Sequence, residues 1–260
     1  MANAKPDARP VVPALDRAIR LLRLLGETPQ RAYTMAEIAR ALEVPRSSAF
    51  NLCSALAEGQ LIRRTRDGFQ LGRGLLELGS AYVSSVNLVA EFYDVARKVP
   101  LDLGATVQLA VLDDDLQAVY LAYQDCGSGL RLGLAGSIGR RVPANCSACG
   151  KILLALLPPA ELDRRLTDRP TLPRLTQKSV TSRAHLMREI CAARDSDHAM
   201  DEEEAVPGLS CVASGFATSH ADGGYVAVSI TTAMDTLDDQ KRRTVITTLD
   251  SLVGELKARL

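Results

Sequence analysis

Between Ala14 and Leu71 the chain packs helix-forming and chain-breaking signals so closely that few folds accommodate them. ALDRAIRLLRLL places apolar residues at 15, 18, 19, 22 and 25, the spacing of an amphipathic helix, with Asp16, Arg17, Arg20 and Arg23 on its other face. Gly26 to Arg31, with Thr28 and Pro29, breaks it. Thr34 then stands three residues before Glu37, a capping box that predicts a second short helix ending near Leu42. Glu43, Val44 and Pro45 make a tight connection, Pro45 opens a third helix from Arg46 to about Glu58, and Gly59 stops it. QLIRRTRDGFQLG reads as two short strands joined at Asp67-Gly68. Helix, helix, turn, helix and hairpin in this order make a winged helix-turn-helix.

In such a unit the last helix fixes itself by one apolar stripe and offers its other face to base edges in the major groove. Ala49, Leu52, Cys53 and Leu56 supply the stripe, packed on Ile38, Ala39 and Leu42. Arg46 offers a cation for phosphate or guanine. Ser47, Ser48 and Ser54 offer small hydroxyls, Asn51 an amide that pairs with adenine, and Phe50 a ring for a thymine methyl or a sugar. The hairpin brings Arg63, Arg64 and Arg66 to flanking phosphates. The same spacing also describes a small helical domain with a solvated polar face.

Charge leans the same way as this reading. The whole chain of 260 residues balances 31 basic against 31 acidic side chains, but its first 80 carry 12 against 8, leaving 19 against 23 beyond. An apolar content of 47% excludes a disordered chain, and no apolar run approaches a membrane span. No apolar segment follows the early basic residues, so no secretory signal is expected, and the six cysteines read as reduced cytoplasmic thiols.

Residues 75 to 98 read as helical and connect this unit to the rest. Beyond Pro100, strands are expected at Thr106 to Leu112, Gln117 to Tyr123, Leu130 to Leu134, Cys211 to Phe216 and Tyr225 to Thr231. Helices are expected at Gly150 to Leu157, Ala160 to Leu166, Arg183 to Arg194 and Leu237 to Leu260. Strands mixed with helices, without strict alternation, predict an α+β domain with a largely antiparallel sheet.

Within this second region a loop of small residues from Ala144 to Gly150 runs into a helix. A helix start exposes free N–H groups and the positive end of the dipole, a cradle for a small carboxylate. A helix start capped by Asn145 or Ser147 with nothing bound is the plainer alternative. Cys146 and Cys149 form a C-x-x-C at that same place, an arrangement that lowers a thiol pKa and permits a reversible disulfide. No second C-x-x-C or spaced histidine pair completes a zinc site. Only His185, His198 and His220 are present, none beside a nucleophile motif, and neither a phosphate-binding glycine loop nor H-E-x-x-H occurs, so catalysis is not expected. Asp201-Glu202-Glu203-Glu204 reads as a solvated charge run on a loop.

ALDRAIRLLRLL, AEIARALEVPRSSAFNLCSALAEGQLIRR and DGFQLGRGLLELG resemble the N-terminal domain of the isocitrate lyase regulator (IclR) family of bacterial transcription factors. GSIGRRVPANCSACGKILLALLPP and MDEEEAVPGLSCVASGF resemble its second half. The resemblance implies a winged helix-turn-helix domain with an N-terminal arm at 1–74, a linker helix at 75–98, and a GAF-like effector-binding and oligomerisation domain at 99–260. It implies a homodimer or dimer of dimers on double-stranded operator DNA, with promoter binding at a catabolic operon controlled by a small organic acid and no cofactor. By motif it places Ala148, Cys149 and Gly150, together with Asp201, Leu209, Cys211, Ser229 and Thr231, around the acid, with apolar contacts from Leu132 and Leu134. Cys146 and Cys149 depart from the residues usual in the family. They leave open a redox-sensing regulator.

Overall fold

A computed structural model describes residues 12–85, 87–129, 138–167, 169, 171–219 and 224–260, with the backbone alone for 83–85. The chain divides into two compact units, one ending at Ser85 and the other running on to Leu260.

In the first unit, α1 (Pro13–Glu27) starts with its proline in the first turn, where no N–H is missed. α2 (Met35–Ala41) is closed by the reciprocal Thr34 and Glu37 capping box, with Thr34 N donating to Glu37 Oε2 over 2.8 Å. α3 (Arg46–Glu58) follows a turn in which Glu43 takes the left-handed conformation. Its end differs in detail from expectation. Gly59 keeps a negative φ and Gln60 is the left-handed residue, with Gln60 N bonded to Ala57 O and Leu61 N to Leu56 O. That Schellman closure lets Leu61 fold back onto the core.

β1 (Ile62–Arg64) and β2 (Phe69–Leu71) pair antiparallel, and Tyr33 bridges to Phe69 on the far side. Gly68 is required there. Its φ is 143°, and a Cβ would lie 2.3 Å from the Tyr33 carbonyl oxygen. Leu21, Leu25, Ile38, Leu42, Ala49, Cys53, Leu56, Ile62 and Phe69 form one core. The buried stripe of α1 is Leu21 and Leu25, whereas Leu15 and Ile19, expected on the buried face, are exposed. The helix carries two apolar stripes and the unit covers one.

Segment 75–98 comprises two helices, α4 (Gly74–Ser85) and α5 (Asn87–Ala96), with residue 86 outside the described residues. Their surroundings differ. α4 leaves Leu76 74% and Leu78 62% exposed, while α5 buries Leu88, Val89, Phe92, Val95 and Ala96 in the second unit.

That second unit is a six-stranded antiparallel sheet made of β3 (Ala105–Leu112), β4 (Gln117–Cys126), β5 (Arg141–Pro143), β6 (Ala199–Glu202), β7 (Leu209–Ala217) and β8 (Tyr225–Ala233), in the order β5-β4-β3-β8-β7-β6. β5 and β6, the two edge strands, are absent from the sequence-based expectation. The expected strand at Leu130 to Leu134 lies outside the described residues. α6 (Ala148–Leu156) and α8 (Arg183–Ser196) cover one face, with α7 (Pro159–Thr167) adding Leu162 and Leu166 to the same core. α5 and α9 (Asp239–Arg259) pack on the sheet as well, against each other and against different strand positions. The mixed α+β architecture with an antiparallel sheet is as expected. Within β4 the pairing partners step from Ala122 to Tyr120 opposite Leu109 and Ala110, so Leu121 is an extra residue in that strand.

Candidate functional site

Two places carry polar side chains that the fold itself does not use. The first is α3. Ala49, Cys53 and Leu56, at i, i+4 and i+7, are buried. Arg46, Ser47, Asn51 and Ser54 are exposed, Phe50 is 56% exposed, and Ser48 is half-buried. In the hairpin, Arg63, Arg64 and Arg66 are exposed; Arg63 donates to Gln70 Oε1 across the strand pair at 2.9 Å. Among the described residues of this unit the one ion pair is Arg31 with Glu37. Arg46, Arg64 and Arg66 therefore keep unneutralised charge on the same unit as α3.

The second place is the start of α6. Ser147, not Asn145, is the cap: its hydroxyl accepts from Gly150 N at 3.1 Å, while the Asn145 amide donates to the carbonyls of Pro173 and Val180, each at 2.8 Å. Ala148 and Cys149 are thus the first helical residues, with their N–H groups at the positive end of the helix. Gly150 permits the approach, since a Cβ there would lie 2.2 Å from Ala144 Cα.

Strand register assembles the facing wall. Asp201, Cys211, Thr231 and Thr106 form one row across β6, β7, β8 and β3, and Ala213, Ser229 and Gln108 form the next. Leu209, half-buried, precedes Cys211 by two and shares its face. Thr231 donates to Gln108 Oε1 at 3.0 Å, and the Cys211 sulfur lies 3.1 Å from the Thr231 hydroxyl. Ser229 is 1% exposed, and its hydroxyl has no hydrogen-bond partner in the structure. The register therefore brings Asp201, Cys211, Ser229 and Thr231 to one face. α6 packs on β6, β7 and β8, with Cys149 beside Ser229, Tyr120 and Asp201. Leu132 and Leu134 lie outside the described residues.

The acidic run is not a solvated loop. Asp201 is 3% exposed on β6 and Glu204 is also buried. Asp201 Oδ1 accepts from Glu204 N at 2.7 Å and from Ala205 N at 3.3 Å. Burial pushes the Asp201 carboxyl up to about 7, against the pull of those N–H groups and of Lys151. Sequence reasoning misses the counter-charge because it comes from a lysine distant in the chain, on α6. It misses Thr106, Gln108 and Tyr120 as well. The alternation in TVQLAVL, which puts Thr106 and Gln108 on one face, is the signal that finds the first two.

The two thiols of the C-x-x-C go different ways. Cys146 Sγ is bonded to the Pro173 carbonyl, and Cys149 lies beside Ser229 and Tyr120. Burial raises the Cys146 thiol and pushes Cys149 up to about 12, overcoming the opposing pull of the neighbouring Ser229 and Tyr120 hydroxyls. Sequence spacing predicts lowered values; a reactive dithiol needs that opposite sign.

A winged helix-turn-helix with a free recognition face, joined in one chain to an α+β unit holding a buried cluster of polar side chains, defines a transcriptional regulator. Comparison with known proteins agrees: residues 14–66 match the IclR helix-turn-helix domain, and residues 80–256 match the bacterial transcriptional regulator IclR C-terminal family. The acetate operon repressor of Salmonella typhimurium is 28% identical over 233 residues, covering 88% of this chain and 83% of the relative. The HTH-type transcriptional repressor AllR of Klebsiella pneumoniae is 29% identical over 228 residues, covering 87% and 81%. Among solved structures, an IclR-type transcriptional regulator from Alicyclobacillus acidocaldarius superposes with a TM-score of 0.81 at 23% identity, over 95% of this chain and 98% of that one. The chain belongs to the IclR family of bacterial transcriptional regulators and is not an enzyme.

Proposed function

We propose that the protein is a repressor whose grip on promoter DNA is set by a small carboxylate. The observation that carries the DNA half is the division of α3, with Ala49, Cys53 and Leu56 pinned in the core while Arg46, Ser47, Phe50, Asn51 and Ser54 face solvent and Ser48 sits at the margin. That face reads base edges in the major groove, and Arg63, Arg64 and Arg66 hold flanking phosphates. The exposed apolar residues Leu15 and Ile19 on α1 and Leu76 and Leu78 on α4 support assembly as a homodimer or a dimer of dimers on a palindromic operator. Similarity to named repressors supports the direction of control and a cytoplasmic setting; no described helix is long and apolar enough to cross a membrane.

The ligand half is supported by Ser229, since a buried hydroxyl without a partner is rare and marks a place where an acceptor or donor belongs. A carboxylate at the N–H groups of Ala148 and Cys149 meets the helix dipole, the Gly150 N–H being already taken by the Ser147 cap, and Ser229, Thr231, Cys211 and Asp201 complete its surroundings with Leu209. Leu132 and Leu134 are the proposed apolar contacts. The site carries weakened negative charge because Asp201 titrates near 7 and the thiols stay protonated. An anion is repelled less there than the formal sequence charge implies.

The test is a gel shift on DNA from upstream of the protein's own and adjacent genes, at two salt concentrations, with and without sodium acetate, pyruvate or benzoate. Retardation that falls steeply with salt and is altered by one acid is the expected result. Absence of a shift on every fragment overturns the reading.

A further inference from the structure

Lys151, two residues after Cys149 on α6, is 1% exposed, and burial of an ammonium is tolerated only where oxygens surround it. Its Nζ lies 2.9 Å from the Met200 carbonyl oxygen, 2.5 Å from Glu204 Oε1 and 2.6 Å from Glu189 Oε2. The ammonium thus donates to two oxygens, on β6 and the turn after it, and forms an ion pair with a third on α8. Met200 and Glu204 bracket Asp201, and Glu204 N in turn donates to Asp201 Oδ1 at 2.7 Å. The far side of the same loop is tied down by Thr176 and Ser179, whose hydroxyls donate to the carbonyls of Glu203 and Glu204.

We propose that Lys151 is a positioning residue for effector recognition: its ammonium clamps the segment from Met200 to Glu204 onto the first turn of α6, so that Asp201 and the helix N-terminus face a ligand at one fixed separation. The proposal rests on the effector site at the α6 start and adds a residue that touches no ligand. On a helix, residues two apart point about 200° from each other, so Lys151 faces away from Cys149 and acts only through Met200, Glu204 and Asp201. The cluster is not the arrangement that stability alone selects. Two carboxylates share one ammonium, Glu204 Oε2 has no hydrogen-bond donor and Glu189 Oε2 has the ammonium only as an ion-pair partner, whereas an apolar residue in place of such a group is commonly as stable. What the ammonium supplies that a leucine lacks is a direction toward three named oxygens.

The test compares wild type, Glu204→Gln, and Lys151→Met combined with Glu204→Gln, which removes the more buried carboxylate together with the ammonium and leaves Glu189, half-buried, beside His185. Glu204→Gln keeps an acceptor for the ammonium, and its response to sodium pyruvate and sodium benzoate, read as the concentration that shifts the melting temperature, is expected within threefold of wild type. The double variant is expected to melt cooperatively and bind promoter DNA within twofold of wild type, yet to need at least tenfold more acid. A folded double variant with the wild-type acid response overturns the proposal. Should it not fold, Glu204→Ala, which leaves the ammonium paired with Glu189 and Met200, carries the same expectation, and a wild-type acid response in that variant overturns the proposal equally. If neither acid acts on the wild type, it is the effector reading that fails. Amide hydrogen exchange in the ligand-free protein then decides for Lys151: residues 147–151 and 199–205 exchange at least tenfold faster in the clamp variant, or the proposal falls.

Discussion

α3 and α6, helices of 13 and 9 residues, handle polar side chains in opposite ways. α3 puts Arg46, Ser47, Asn51 and Ser54 into solvent, where folding neither needs nor resists them. At α6 the polar groups Ser147, Lys151, Asp201 and Ser229 are all within a few per cent of complete burial. A surface reader can change its recognition residues with little effect on stability, because exposed substitutions usually matter by under about 0.5 kcal/mol. A buried receptor cannot, since each polar group inside must be matched or else destabilises the domain by about 1–3 kcal/mol.

Substitutions that separate stability from recognition put this contrast at risk. The largest effect is expected for Gly150→Ala, whose methyl meets the Ala144 backbone at 2.2 Å; overpacking against main chain destabilises the second unit by about 3 kcal/mol or more. Chemical denaturation followed in that unit is the check, and an unchanged midpoint would show that the α6 start is far looser than this contact implies. Next is the pH response. Asp201 is held at about 7 against an ordinary 3.8, so the folded protein binds a proton that the unfolded chain releases. Its contribution is complete below about pH 4 and is lost as pH rises through about 7, with a slope of at most about 1.4 kcal/mol per pH unit. Asp201→Asn should flatten that decline in melting temperature between pH 4 and 7.

Asn51→Ala should lower discrimination between operator and unrelated DNA by about 1–3 kcal/mol while leaving the melting temperature in place. Equal loss on all DNA would reassign the residue to backbone contact. Ser229→Ala inverts the pattern: removing an unpartnered buried hydroxyl should stabilise the protein by about 1 kcal/mol while weakening the response to acids. Loss of stability instead would mean that the hydroxyl is already satisfied. The smallest effect belongs to Arg64→Ala, which should weaken binding to every sequence alike and reduce the slope of log affinity against log salt by about 1.

The same contrast governs what is legible in the chain alone. In the first unit local signals suffice, since the Thr34–Glu37 box, the Pro45 turn and Gly68 each act over a few residues and α3 begins and ends where they place it. In the second, long apolar strands such as β3 and β8 declare themselves, but β5 and β6 are three and four residues long, polar, and defined by their neighbours. The run from Asp201 to Glu204 resembles surface because its compensation is not local. Lys151 at the head of KILLALL is the clue, a lone cation on an otherwise apolar helix that has to find oxygens somewhere. Likewise, motif position brings Asp201, Cys211, Ser229 and Thr231 together, but only register shows that Gln108 is already engaged by Thr231 and that Ser229 is not.

The extra residue in β4 has a consequence for how such a receptor diversifies. By stepping over Leu121, the strand turns the phenol of Tyr120 toward Cys149, where plain alternation would have presented an isobutyl group. Losing the Tyr120 codon would leave both strands long enough to pair and yet set Leu121 opposite Ala110, exchanging a hydroxylated lining at the proposed effector site for a greasy one while leaving the first unit untouched.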